Sequence, residues 1–142
     1  MFAPPGTAYI YFIYGMYHCL NVVTEAEGEP CAVLLRGGQP RGNQEALAWN
    51  RYDKSLAELT PYQRKNFLNG PGKLCQALGL SRKENGCSLL GEDLFLCDRL
   101  EDIGLATPPE DLAPFSVRTG PRVGIDYAQE AVHFPWRYRI TP

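Results

Sequence analysis

Residues Gly6–Asn21 read GTAYIYFIYGMYHCLN. The stretch from Thr7 to Tyr14 is built almost wholly of β-branched and aromatic residues, which fit a pleated, half-buried surface. Gly15-Met16 supplies a turn, and Tyr17 to Thr24 is expected to return as a second strand. Four of the eight tyrosines, Tyr9, Tyr11, Tyr14 and Tyr17, fall inside this hairpin. Its expected tip carries Tyr14, Gly15, Met16 and Tyr17. Large apolar side chains are costly to leave in water at a hairpin tip, so such a tip calls for a partner. Nucleic-acid bases, with flat apolar faces that a wedge can displace, are one such partner.

Outward from the hairpin, Glu25 to Pro30 is an acidic surface loop and Cys31 to Arg36 (CAVLLR) a short buried strand. Asn43 is expected to cap a helix running from NQEALAWNRYDK, with Glu45 in its first turn. Thr60-Pro61 opens a second helix, expected to stop at Asn69-Gly70. Residues from Pro71 to Leu80 (PGKLCQALGL) form a third, with an apolar stripe of Leu74, Ala77 and Leu78. Ser81 to Leu90 reads as a turn with a further short helix, and Leu94 to Cys97 as a short strand. Glu101 to Pro114 is a proline-rich loop. Strands are expected at Phe115 to Thr119, Arg122 to Ile125 and Trp136 to Ile140. Strands, then helices, then strands predict an α+β fold: a single domain over residues 1–142, with a mainly antiparallel curved sheet, a protruding β-hairpin and several short helices.

The 142 residues are 44% hydrophobic and 21% charged, ordinary for one globular domain. No apolar run is long enough for a bilayer-spanning helix, and MFAPPG has no signal-peptide pattern. Five cysteines without a CxxC pair suggest reduced thiols, and the ligand spacings of zinc sites are absent. A net charge of −2 argues against a nonspecific nucleic-acid coat. It leaves room for a local basic face drawn from Arg36, Arg41, Arg51, Lys73, Arg118, Arg122, Arg137 and Arg139.

The hairpin, the strand AVLLR, the segment GPGKLCQALGL, and PRVGIDYA followed by PWRY together resemble the alkyladenine (3-methyladenine) DNA glycosylase family. The resemblance runs in order across nearly the whole chain. It implies an enzyme of base-excision repair that flips damaged purines (alkylated purines, hypoxanthine, ethenoadenine) out of duplex DNA. Such an enzyme hydrolyses the N-glycosidic bond as a monofunctional glycosylase, without a covalent intermediate, metal or cofactor. Tyr14 resembles the family's intercalating tyrosine, with Met16 and Tyr17 beside it in the minor groove. Tyr11 resembles an aromatic wall of the base pocket. Asn21 resembles the pocket asparagine that obstructs the exocyclic amine of normal guanine. Arg36 and Lys73 resemble phosphate contacts, Lys73 in the first turn of its helix. His18 departs from the family pattern and is given no role.

The family's general-base glutamate lies in a segment before the hairpin, so the resemblance places it upstream of Met1 and assigns no catalytic residue within the chain. The chain is accordingly expected to begin inside the family's domain and to stop short of its C-terminal tail, exposing apolar surface. Among internal carboxylates, Glu25, Glu27 and Glu29 read as a solvated loop and Asp126 as a turn residue. His133 reads as a loop residue. The implied partner is double-stranded DNA bearing damaged purines. A monomer is expected, unattached to membranes and not secreted, in a cytoplasm with its nucleoid or in a nucleus.

Structural readings stand beside these. Tyr9 and Tyr11 could be core aromatics, Arg36 a strand-end ion pair, Lys73 a solvated helix residue. Three function classes stay open: an active glycosylase, a catalytically dead DNA-binding fragment, and a generic α+β binding domain whose tyrosines anchor a protein partner.

Overall fold

The computed structural model describes residues 1–104, 106 and 116–141. Helices and antiparallel sheets mix in one chain, the α+β arrangement expected, with the strands in two sheets of three and two. The chain divides into two compact units, Met1–Leu96 and Cys97–Pro142.

In the first unit β1 (Ala8–Ile13) pairs antiparallel with β2 (Tyr17–Val23), and β2 with β3 (Ala32–Leu34). The register sets Ala8 opposite Val22 and Ile10 opposite Leu20, so these share one face. That face closes on Cys75 and Leu89 to form one core cluster. Burying each large aliphatic side chain contributes roughly 1.5–3 kcal/mol. The free edge of β1 is sealed by residues 85–89. Ala8 N–H donates to the Cys87 carbonyl at 2.8 Å, and Gly86 N–H to the Ala8 carbonyl at 2.8 Å. Ile10 N–H donates to Asn85 Oδ1 at 2.7 Å. An edge paired this way offers no template for another chain.

Three short α-helices follow: α1 (Gln44–Tyr52), α2 (Pro61–Lys65) and α3 (Pro71–Ala77). Ala48, Leu59, Phe67, Leu68, Leu74 and Ala77 make a second core cluster between them. Thr60 caps α2 as expected: its Oγ1 accepts from Gln63 N–H at 3.3 Å and Gln63 Oε1 accepts from Thr60 N–H at 2.9 Å. Asn43 occupies the N-cap of α1, but in a left-handed conformation (φ 44°) with no capping bond from its side chain.

Several boundaries differ from the sequence expectation. α2 stops at Lys65 rather than Asn69-Gly70, because Phe67 and Leu68 turn inward to the core and Arg51 captures the carbonyls of Asn66 and Phe67, at 2.7 and 2.6 Å. α3 buries Leu74, Cys75 and Ala77, while Leu78, at its C-cap, is exposed. Leu94 to Cys97 is no strand; it contributes one bridge, Leu90 to Phe95. The short helix within residues 81–90 is a single 3-10 turn, Arg82–Glu84.

In the second unit β4 (Ser116–Gly120) pairs antiparallel with β5 (Arg137–Thr141). Phe115, the expected start of that strand, and residues 107–114 of the expected loop lie outside the described residues. Arg122 to Ile125 is not a strand. Pro121 has no N–H to give a ladder, Gly124 takes a positive φ of 73°, and Ala128 N–H closes a turn onto the Ile125 carbonyl at 2.8 Å. His133 ends a 3-10 segment, Gln129–His133, rather than lying in a loop. Among the described residues no helix is long and apolar enough to cross a membrane.

Candidate nucleic-acid interface

The hairpin turns over Tyr14 and Gly15, whose φ values are 55° and 68°, and Met16 N–H returns to the Ile13 carbonyl at 3.3 Å. Two positive φ angles side by side are what a type I′ turn demands, and asparagine or glycine normally meets that demand. A tyrosine there costs roughly 1 kcal/mol or more in backbone strain. Tyr14 is also 79% exposed and Met16 65% exposed, with Tyr17 at 39%. A strained backbone that holds an aromatic ring in water contributes nothing evident to folding. It leaves that ring open to solvent at the hairpin tip.

The tip rests on the start of α3. A Cβ built on Gly72 would lie 2.8 Å from Cγ and Cδ1 of Tyr17, so only glycine allows this approach. Beside it, Met16, Tyr17, His18, Gly72, Gln76, Gly79 and Leu80 line an open cavity of about 260 Å3. Lys73, next in α3 after Gly72, is half-buried, its stem 3.5 Å from where a Gly70 Cβ would stand. Gly37 forms a bridge with Asn69, and a Cβ there would meet the Leu68 carbonyl at 2.8 Å. The exposed Arg36 therefore leaves β3 against the chain that leads into α3 and Lys73. The fold brings the predicted wedge residues and both predicted phosphate cations to one region of the first unit.

Tyr9, Tyr11, Cys19 and Asn21 share the sheet face opposite the Ile10–Leu20 cluster, since Tyr9 pairs with Asn21 and Tyr11 with Cys19. The Tyr9 and Tyr11 rings lie 5.7 Å apart. Both are half-buried rather than core residues. Asn21 is 6% exposed, the one polar side chain among the described residues that is buried to this degree. Its Nδ2 donates to the Tyr9 carbonyl at 3.0 Å and the Cys19 carbonyl at 3.3 Å, which locks the amide against the hairpin backbone. Burial pushes the Cys19 thiol up, while a hydrogen bond with Tyr11 and the positive charge of Arg36 pull the other way.

The carboxylates stand elsewhere. Glu84 is half-buried and every other described Asp and Glu is exposed, including Glu25, Glu27, Glu29 and Asp126. Hydrogen bonds from the Ser81 backbone and hydroxyl hold Glu84 below the usual carboxylate range, and Glu58 is lowered in the same way by Ser55. Both acids are caps of 3-10 turns. Among the described residues no three His, Cys, Asp or Glu side chains are grouped to hold a metal ion.

Three structural contributors are not evident in the sequence pattern. Arg51 stacks 4.3 Å over Tyr52 while binding two carbonyls, Asn85 finishes the edge of β1, and Gly72 admits Tyr17. The glycine had the clearest signal, since it sits inside a helix just after proline, where alanine would serve better.

The family model for methylpurine-DNA glycosylase (MPG) matches residues 1–142. A protein of Alkaliphilus oremlandii is 44% identical over 140 residues, covering 99% of this chain and 64% of the relative. One from Bacillus cereus (strain ATCC 14579) is 47% identical over 139 residues, covering 97% of this chain and 63% of the relative. Both bear the name "Putative 3-methyladenine DNA glycosylase". The chain thus spans slightly under two thirds of the length of these relatives.

Proposed function

The chain belongs to the methylpurine-DNA glycosylase family, and on that premise we propose that it engages duplex DNA and takes part in excising damaged purines. The observation that carries this reading is Tyr14, an exposed aromatic ring held on a strained turn. Inserted between base steps, the ring fills the gap left by an extruded nucleotide and offsets the few kcal/mol that unstacking costs. Met16 and Tyr17 flank it in the minor groove. Arg36 and Lys73 contact phosphates on either side of the distorted step.

The extruded purine stacks on Tyr11. A purine alkylated at N3 or N7 carries positive charge, so the π face of the ring favours it over a neutral base. Asn21, fixed by its two backbone hydrogen bonds, cannot swing away from a guanine amine. Discrimination therefore comes from obstruction. In the reaction, water adds at the sugar C1′ and gives up a proton to the surrounding solvent as the C–N bond breaks and the purine departs with the bonding electrons. A cationic purine leaves as a neutral base, which lowers the barrier before any protein group acts. The water-activating carboxylate is assigned to none of the described residues.

A second reading, DNA binding without cleavage by these 142 residues, is favoured by the carboxylates, since those with shifted acidity cap turns. One preparation tests both. It is assayed for release of free methylated purine from alkylated DNA and for binding to a duplex with an abasic site. Binding with release supports excision. Binding without release supports the second reading, and no binding overturns both.

A further inference from the structure

The two-stranded ribbon of the second unit separates its side chains by face. Arg118 pairs directly with Arg139, Gly120 with Arg137, and Ser116 with Thr141, so all six residues share one face. Val117, Thr119, Tyr138 and Ile140 share the other. The first face thus holds three guanidinium groups, and the ten ribbon residues include no acid. This occurs in a chain of net charge −2. Arg118 and Arg139 are exposed. Among the described residues no ion pair involves Arg118, Arg137 or Arg139. A fourth guanidinium, that of Arg122, lies 5.2 Å over the Trp136 ring, next to Arg137 in sequence.

Like charges directly opposite one another weaken a strand pair. The ribbon's own cross-links lie at its far end, where the Ser116 and Thr141 hydroxyls meet at 2.7 Å. The Arg118–Arg139 pair opposes ribbon formation unless an anion lies across it. Arginine can present a planar fork of donors to a phosphodiester, and neighbouring residues on one strand face are about 6.8 Å apart. Three such forks on one face fit a repeating anion better than a single carboxylate.

We infer that the Arg118, Arg137 and Arg139 face of the β4–β5 ribbon is a second, sequence-independent contact to the phosphodiester backbone of DNA, separate from the contacts of Arg36 and Lys73. The inference rests on the proposal that the chain binds DNA. It adds phosphate neutralisation without base reading, so its signature is the salt dependence of binding. Each phosphate neutralised on duplex DNA contributes about 0.9 to the slope of log K against log salt.

The test is binding of the 142-residue chain to an abasic-site duplex across a salt series, for wild type, R118Q/R139Q, R118K/R139K and Y14A. R118Q/R139Q is expected to flatten the slope by about 1.8. R118K/R139K is expected to keep the wild-type slope, because the charges remain. Y14A is expected to weaken binding at every salt concentration without changing the slope. If Y14A weakens binding while R118Q/R139Q leaves the slope unchanged, this inference fails and the wedge reading stands. If the lysine variant flattens the slope as much as the glutamine variant, the arginines act by shape, and the inference fails likewise. A wild-type chain that binds no duplex overturns both.

Discussion

Replacing Gly72 with alanine tests whether the hairpin tip is braced by α3. A Cβ at this position stands 2.8 Å from Cγ and Cδ1 of Tyr17 and 2.9 Å from its Cβ. Comfortable carbon contacts need about 3.5–4.0 Å, so ring or helix must move by at least ~0.7 Å. The near atoms belong to the root of the tyrosine side chain, so a rotation of the far end brings no relief. Overpacking of this kind costs about 1–3 kcal/mol. Against it, alanine gains up to about 1 kcal/mol over glycine in a helix. Gly72→Ala is therefore expected to destabilise the chain by up to ~2 kcal/mol. In a Tyr17→Gly background all three near atoms, the Cβ included, are gone, and the same substitution should stabilise by up to ~1 kcal/mol. Urea unfolding of wild type, both single variants and the double variant gives the coupling directly, expected at about 1–3 kcal/mol. An equal effect of Gly72→Ala in both backgrounds would refute the packing of Tyr17 on α3.

Arg51→Leu should lower stability by about 3 kcal/mol, because two charge-assisted hydrogen bonds to the Asn66 and Phe67 carbonyls are lost with the stacking on Tyr52; an unchanged urea midpoint would contradict this. Asn21→Leu should cost about 1–3 kcal/mol by leaving the carbonyl groups of Tyr9 and Cys19 short of a donor. Asn21→Ala should in addition narrow the preference for damaged purine over guanine, read by excision or by binding to duplexes carrying each base. Burial pushes the Cys75 thiol up to about 11 and raises Cys19 as well. The folded state thus holds these protons more tightly than the unfolded chain. That contribution to stability is complete below the unfolded thiol value near ~8.5, and is lost as pH rises toward 11. At pH 8 iodoacetamide should label the exposed Cys31 and Cys97 in the native chain and reach Cys19 and Cys75 only after denaturation; equal labelling rates would contradict their burial.

The hairpin was legible because β-branched and aromatic residues run along both strands around a glycine turn; which face each side chain takes follows only from the register. Thr60-Pro61 was legible for a local reason too, since a capping threonine followed by proline is written in two adjacent residues; the reciprocal Gln63 bond came from the structure. The end of α2 was not, because Arg51 terminates it from fifteen residues away. The failed strand at Arg122 to Ile125 shows the limit of composition: valine and isoleucine favour a strand, but Pro121 and Gly124 withhold the backbone geometry. In the site, sequence singled out Tyr11, Tyr14, Met16, Tyr17, Asn21, Arg36 and Lys73, chiefly through resemblance to a family. The structure adds why three parts of it lie together. Gly72 lets Tyr17 meet α3, and Gly37 lets the end of β3 meet the chain before it. Neither contact has a sequence period. The arginine face of the ribbon was open in the sequence only as a list of cations, because pairing Arg118 with Arg139 requires the β4–β5 register.

The measurement that bears most directly on the hairpin as a DNA wedge is the affinity of wild type and Tyr14→Ala for an abasic-site duplex and for the same duplex intact. Wild type should prefer the abasic site, where the ring fills a vacancy without displacing a base. Loss of one stacking ring is worth about 1–3 kcal/mol, so Tyr14→Ala should bind the abasic duplex about 5- to 150-fold more weakly and lose most of that preference. A Tyr14→Ala chain that retains wild-type affinity and preference would contradict the wedge and leave the exposed tyrosine to some other partner.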